Sequence, residues 1–221
     1  MTVPGKIIFS LCALLLTACA GARGVSPGAA MVTGASTPAP YGYVAFCARR
    51  PGDCLPKNSL TANITLNTKK WAELNKVNTY VNITVDPHTD AEIYRAYEFW
   101  TYPSTGPNAA GDCEDYALLK RKMLIERGWP SSALLISVAL EADGQAHALL
   151  VAVTDQGDYV LDNQTDEILP WDQTPYEWEK RQSADDPMRW VSLRGDVLDQ
   201  SATAATRRVP RRGHSQPRQG S

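Results

Sequence analysis

The fold of this 221-residue chain is indicated most directly by the sequence GDCEDYA at residues 111–117. A Gly-Asp turn precedes a helical pattern there, and Cys113 stands where the helix would begin. Backbone N–H groups and the positive end of the helix dipole favour an anion at such a position. Because the thiolate is the nucleophilic form of cysteine, Cys113 is a candidate nucleophile. A small buried cysteine with a packing role is the alternative interpretation.

The residues before and after this stretch show the hydrophobic periodicity of helices. It predicts a first helix over about residues 68–82, with Asn67 or Thr68 as its cap. A second helix is predicted over about residues 90–100, and a third over residues 112–127, where Gly and Pro follow. The candidate nucleophile would therefore lie at the start of the third helix.

Strand patterns follow the third helix. Apolar runs at 134–140, 147–153 and 158–162 are separated by short turns, which predicts an antiparallel sheet. His147 opens the second strand and Asp162 closes the third, and a hairpin brings these two ends together. A cysteine nucleophile needs an imidazole to take its proton and a carboxylate to orient the ring. A structural histidine is the alternative, but the other two histidines lie in a turn and near the C-terminus.

These patterns predict an α+β fold, and the order of Cys113, His147 and Asp162 resembles that of papain-type cysteine proteases and transglutaminases. The helices of this fold would pack on an antiparallel β-sheet, with the catalytic cysteine at a helix N-terminus. We expect the domain to cover residues 41–195, after a targeting segment at 1–19 and a flexible Gly/Ala/Ser/Thr/Pro-rich linker at 20–40. Residues 196–221 form a basic tail that lacks hydrophobic pattern and is predicted to be disordered. The net charge of −2 gives no reason to expect nucleic acid as a partner.

The N-terminus has the pattern of an export signal. Lys6 precedes an apolar run at residues 7–16, which is too short to span a bilayer. The sequence LTAC that ends at Cys19 resembles a bacterial lipobox, in which this cysteine would be lipidated. A plain signal peptide cleaved after Ala18 or Ala20 is the alternative. Both interpretations predict an exported protein, and the only membrane contact expected is a lipid anchor.

Export leaves three cysteines to account for. Cys47 and Cys54 frame a short loop that contains a Pro-Gly turn, and in an oxidising compartment we expect them to pair. A metal site is less favoured, because no His or Cys pair with ligand spacing complements them. Cys113 then remains as the free thiol.

Three motifs together resemble the bacterial transglutaminase-like cysteine proteinases. They are the stretch 111–117 with Lys120, the sequence HALL that begins at His147, and the sequence LDN around Asp162. The resemblance extends over about residues 41–193. It implies that Cys113, His147 and Asp162 are nucleophile, base and orienting group.

The resemblance also implies a calcium site and a set of partners. Asp112, Glu114 and Asp115 would contribute carboxylate ligands, which suit this hard cation, although all three could instead only favour the helix N-terminus. The family's LapG-type periplasmic members depend on calcium and cleave large surface adhesins of biofilms near their N-termini. An inner-membrane receptor that senses cyclic di-GMP restrains them. The chain would accordingly act in the periplasm of a Gram-negative bacterium.

Three functions remain open from the sequence. The leading one is an exported cysteine endopeptidase that forms a thioester on Cys113. The second is a transglutaminase-type acyl transferase, which uses the same thioester but an amine acceptor. The third is a non-catalytic binding module on this fold, against which the intact Cys, His and Asp argue.

Overall fold

The computed structural model describes residues 28–58, 64–104 and 106–194. Its α-helices are α1 (Tyr41–Arg49), α2 (Thr68–Thr84), α3 (Asp90–Ile93) and α4 (Cys113–Glu126). Its strands are β1 (Ser36–Thr37), β2 (Asp86–Pro87), β3 (Ala110–Gly111), β4 (Leu134–Leu140), β5 (Ala146–Thr154), β6 (Gly157–Leu161), β7 (Leu169–Pro170), β8 (Glu177–Gln182) and β9 (Trp190–Ser192). The expected signal segment, Cys19 and the basic tail lie outside the described residues. Within the described ranges, no helix combines the length and apolar character that crossing a membrane requires.

Seven strands of the described chain form one antiparallel sheet in the order β1-β9-β8-β4-β5-β6-β7. The sequence predicted three adjacent strands of this sheet, β4, β5 and β6. Alternation along β5 buries both faces of the sheet: Leu150 belongs to the core beneath the helices, while Leu149 and Val151 belong to a cluster on the opposite face. The α+β fold class is therefore confirmed.

Helices α2 and α4 cover one face of the sheet. Leu74 of α2 and Leu124 of α4 are fully buried and share a core with Ile136 of β4. Asn67 caps α2, because its side chain accepts the Lys70 N–H at 2.9 Å. The first and third predicted helices are thus confirmed, and this packing fixes the N-terminus of α4 above the sheet.

The second predicted helix is much shorter than expected. A capping box formed by Thr89 and Glu92 starts α3, but the helix spans only Asp90–Ile93. Arg95 then adopts a left-handed backbone with φ of 56°, and the Asp90 carboxylate accepts the Phe99 N–H. This side-chain acceptor replaces helical hydrogen bonds, so the chain returns toward α3 instead of continuing as a helix.

Residues 28–40 form an ordered strap across the sheet face that lies opposite the helices. Gly28 N–H donates to the Gln156 carbonyl at 2.8 Å, and Met31 N–H donates to the Asp158 carboxylate at 3.0 Å. Met31 is buried in the cluster on that face, and β1 pairs with β9. The linker expected from composition therefore contains an ordered part, because the sheet supplies hydrogen-bond partners that composition does not reveal.

Cys47 and Cys54 form a disulfide, with Cα atoms 5.7 Å apart, as the sequence predicted. Both are buried, and the bridge ties the last turn of α1 to the turn at residues 51–53. Cys113 is the free cysteine of the described residues.

Candidate active site

Cys113 is the first residue of α4, and only Asp112 separates it from β3. The strand β3 pairs with β2, which fixes the path of the chain into the helix. Gly111 permits a close approach there, because a Cβ atom on it would lie 2.7 Å from Asp115 Oδ2. The Gly-Asp-Cys motif therefore combines a tight backbone contact with a cysteine at the helix N-terminus.

The sulfur of Cys113 is half-buried between one N–H donor and one carboxyl group. Ala148 N–H donates to Sγ at 3.4 Å, and the thiol contacts Glu114 Oε2 at 3.2 Å. Burial raises the pKa of the Cys113 thiol well above its ordinary value, and the carboxylates of Glu114 and Asp112 raise that pKa further. Burial and the neighbouring carboxylates therefore both favour the protonated thiol.

His147 and Asp162 meet through a direct hydrogen bond. Leu150 pairs with Leu161 between β5 and β6, so Asp162 lies across from Leu149 and diagonally from His147 on the same face. The His147 Nε2 and Asp162 Oδ1 atoms are 3.0 Å apart, and both side chains are buried. The hairpin prediction for this pair is therefore matched by the geometry.

Asp162 receives two further hydrogen bonds that the sequence did not predict. Gln164 N–H donates to Oδ1 at 2.9 Å, and the Tyr176 hydroxyl donates to Oδ2. Burial alone would raise the pKa of Asp162, but the hydrogen bonds from His147, Gln164 and Tyr176 hold this pKa below its ordinary value. The carboxylate is therefore favoured as the ionised partner of the imidazole.

The second ring nitrogen of His147 is not held by Asp162. His147 Nδ1 lies 3.7 Å from Glu141 Oε1, too far for a hydrogen bond, and Glu141 instead accepts the Gln164 side-chain amide at 2.6 Å. Nδ1 is thus the nitrogen available for proton transfer.

A cavity of about 230 Å³ connects the thiol and the imidazole. Cys113 and His147 both line it, together with Glu114, Trp100 and Ala148. The Trp100 indole N–H donates to Glu98 Oε1, so this N–H is already engaged in the wall of the cavity. The nucleophile and base candidates therefore face one common space.

One wall of this cavity comes from an irregular part of β8. Neighbouring residues of a strand normally point to opposite faces, yet Glu179 and Lys180 both line the cavity. The pairing of β4 with β8 shifts register between Val138 and Ala139, and Glu179 is the extra residue of β8 at this bulge. The bulge therefore brings two consecutive residues of β8 into the lining of the cavity.

A cluster of acids lies beside Cys113. One carboxylate oxygen from each of Asp90, Asp112 and Glu114 lies within 4.8 Å of the others. Asp90 Oδ1 and Asp112 Oδ1 are buried and, among the described residues, have no hydrogen-bond partner. Burial and the Asp112 charge raise the pKa of Glu114 to about 9. Such crowded carboxylate oxygens have the chemistry of a site for a hard cation.

This cluster differs in one member from the set named from the sequence. Asp112 and Glu114 are brought together, but Asp115 Oδ1 accepts the Thr101 N–H at 2.8 Å, outside the cluster. Asp90 takes its place, and its N–H donates to Asp112 Oδ2 at 3.2 Å. No sequence signal links Asp90 to the cysteine motif, because the loop after α3 brings them together.

Residues 33–197, about three quarters of the chain, match the family of bacterial transglutaminase-like cysteine proteinases (BTLCP). A structure of LapG from Legionella pneumophila is 26% identical, with 61% of this chain and 74% of that chain covered and a TM-score of 0.47. A calcium-bound structure of LapG from the same organism is likewise 26% identical, with 55% of this chain and 68% of that chain covered and a TM-score of 0.46. The EGTA-treated form is also 26% identical, with 61% of this chain and 76% of that chain covered and a TM-score of 0.46. No curated protein matches the chain significantly. By the extent of its family match, this chain belongs to the bacterial transglutaminase-like cysteine proteinases and is a cysteine peptidase, which implies a protein substrate.

Proposed function

We propose that this cysteine peptidase is an exported endopeptidase that cleaves a peptide bond through a thioester on Cys113. The observation that carries the proposal is the cavity shared by Cys113 and His147, with the imidazole held from behind by Asp162. Because Asp162 occupies Nε2, the other nitrogen is left to exchange a proton with the thiol and with the leaving group.

The reaction follows from these positions. His147 Nδ1 takes the thiol proton while Sγ attacks the scissile carbonyl carbon, and the backbone N–H of Cys113 donates to the oxyanion that forms. The imidazolium then protonates the leaving amine, the C–N bond breaks, and a thioester remains on the enzyme. His147 next removes a proton from water, which attacks the thioester and releases the carboxylic acid and the thiol.

We propose that Asp90, Asp112 and Glu114 hold a calcium ion. Two of their buried oxygens have no protein partner among the described residues, and carboxylate oxygens are the ligands this cation prefers. When bound, the cation would supply positive charge that offsets the carboxylates around the thiol. Asp115 would serve a different purpose, holding the Thr101 backbone.

The substrate and the location are proposed on the family resemblance and on the N-terminal sequence. We expect the enzyme to act in the periplasm, as a soluble protein or anchored by lipid on Cys19. Its substrate would be a cell-surface or periplasmic protein, such as the N-terminal region of a biofilm adhesin, and an inner-membrane receptor would regulate it.

The proposal is tested by incubating the protein with a recombinant N-terminal fragment of a large adhesin from the same genome. Wild type should cleave the fragment and Cys113→Ala should not. Cleavage by the Cys113→Ala variant at the wild-type rate would refute the mechanism. Incorporation of a dansylated amine without cleavage would instead identify an acyl transferase.

The calcium site is tested by thermal unfolding in calcium and in EGTA. A ligand that binds only the folded state raises the melting temperature, so calcium should stabilise the wild type. Asp90→Asn should lose most of that increase, whereas Asp86→Asn, an exposed acid on β2, should keep it. An equal increase in the Asp90→Asn variant would exclude Asp90 as a ligand.

A further inference from the structure

Tyr176 contacts both His147 and Asp162, although it belongs to none of the three sequence motifs described above. Its hydroxyl donates to Asp162 Oδ2, the carboxylate oxygen that His147 does not use. Its ring centroid lies 5.4 Å from that of His147, with the planes inclined by 45°. One side chain thus contacts the carboxylate at one end and the imidazole with its ring.

The position of Tyr176 in the chain makes these contacts specific. It directly precedes β8, and its ring packs edge-on against Trp178 at 6.2 Å, which in turn contacts Trp171. Trp178 is buried in the cluster that the strap covers. The aromatic segment therefore gives Tyr176 a fixed support, so its hydroxyl has little freedom to follow a moving carboxylate.

We propose that Tyr176 is a positioning residue for the peptidase reaction, which fixes the Asp162 carboxylate and thereby the His147 ring. The inference rests on the proposed catalytic roles of His147 and Asp162. A carboxylate with one oxygen bound to Tyr176 and the other to Gln164 cannot rotate about its Cβ–Cγ bond without breaking hydrogen bonds. His147 Nε2 then has one acceptor in one place, and the imidazole ring keeps one orientation.

Other charged groups also surround the pair, and the tests must separate their effects from that of Tyr176. Glu141 faces the imidazole from the end of β4. Lys120 of α4, which is buried, and Asp166 act electrostatically on this region from the helix side. Tyr176→Phe leaves all these groups in place and removes only the hydroxyl, so a change in the His147–Asp162 bond can be assigned to that group.

The matched control is Tyr43→Phe. Tyr43 is buried, whereas Tyr176 is half-buried, and the Tyr43 hydroxyl accepts the Gln182 side-chain amide at 2.7 Å. Both variants lose one phenolic hydrogen bond and keep their ring. Only Tyr176→Phe should therefore change the hydrogen bond between His147 and Asp162.

The first measurement is independent of substrate. The chain has three histidines, so ¹⁵N-histidine labelling gives a simple NMR spectrum, in which His147→Gln identifies the His147 Nε2–H signal. Its hydrogen bond to a carboxylate should shift this proton downfield in the wild type. We expect the signal to broaden or move upfield in Tyr176→Phe and to remain unchanged in Tyr43→Phe.

The second measurement is steady-state cleavage of the adhesin fragment. Tyr176→Phe should reduce kcat about tenfold, the scale set by one hydrogen bond to a charged group, with KM unchanged. An unchanged His147 signal in Tyr176→Phe overturns the inference. A changed KM with the wild-type kcat also overturns it, because that result would indicate that Tyr176 contacts the substrate. Since the NMR result needs no turnover, it decides the role of Tyr176 even if Cys113→Ala shows that the proposed mechanism fails.

Discussion

Gly111→Ala tests whether the close contact before the nucleophile is essential to the fold. The added Cβ would lie 2.7 Å from Asp115 Oδ2 and 2.8 Å from Asp115 Cβ, whereas non-bonded carbon atoms pack well at about 3.5–4.0 Å. Asp115 cannot easily retreat, because it is fully buried and accepts the Thr101 N–H at 2.8 Å. The added methyl group must therefore break this hydrogen bond or displace the backbone at Gly111. Because Cys113 is only two residues away, such a displacement would also move Cys113.

Overpacking of this kind costs about 1–3 kcal/mol in the free energy of unfolding. With a urea dependence of about 2 kcal/mol per molar, the midpoint of urea unfolding should fall by about 0.5–1.5 M. Cleavage activity should fall as well, because the helix that carries the nucleophile is displaced.

The assay is urea unfolding followed by tryptophan fluorescence, with cleavage measured on the same preparations. Gly52→Ala is the control, since no atom lies within 4 Å of the Cβ it would add. That variant should stay within about 0.5 kcal/mol of the wild type. If Gly111→Ala unfolds at the wild-type urea concentration with full activity, the steric argument is refuted.

Three further outcomes are expected. Asn82 donates to the Asp162 carbonyl at 3.0 Å, so Asn82→Ala should lower kcat and should lower the free energy of unfolding by about 1–2 kcal/mol. The control is Asn75→Ala, which loses a hydrogen bond only within its own helix and should leave kcat unchanged in the same assays. Reduction of the Cys47–Cys54 disulfide should lower the free energy of unfolding by about 2–3 kcal/mol, the chain-entropy value for so short a loop, measured by urea unfolding with and without reductant. The depressed pKa of Asp162 stabilises the fold above the unfolded-state value of about 3.9, and this contribution is lost as pH falls through the lower folded-state pKa. Urea unfolding from pH 5 downward should therefore show a shallower loss of stability in Asp162→Asn than in the wild type, and equal slopes would contradict the assignment.

The sequence predicted the elements whose signals are local. Helix α2 has an apolar stripe and an Asn67 cap, and α4 ends before a Gly and a Pro, so both could be identified from periodicity and capping. The hairpin signal likewise brought His147 and Asp162 together, because short turns fix which strand ends meet.

Periodicity failed where a side chain competed with the helix. Tyr97 and Trp100 both lie in the range predicted for the second helix and would share its apolar face, yet Tyr97 is 98% exposed and Trp100 only 2% exposed. The Asp90 carboxylate binds the Phe99 backbone, and Arg95 turns the chain. A side-chain hydrogen bond across nine residues and a left-handed backbone do not change the hydrophobic periodicity, so the pattern still predicts a helix.

The residues missed at the site are joined only by tertiary structure. Asp90 precedes Asp112 by 22 residues, and Tyr176 follows Asp162 by 14. The sequence showed an aromatic stretch around Tyr176 but could not show that its hydroxyl reaches the carboxylate. In the same way, the acidic motif after Gly111 does not reveal that Asp115 Oδ1 accepts the Thr101 N–H.

The strap has a practical consequence for where shortened forms of this protein should begin. A recombinant chain that starts at Tyr41 would lose the residue pairing along β9 and uncover Leu149, Val151 and Val160. An unpaired edge beside an exposed apolar sheet face promotes self-association. A chain that starts at Gly28 keeps this cover, so we expect it to stay monomeric in size-exclusion chromatography under conditions in which the Tyr41 form aggregates.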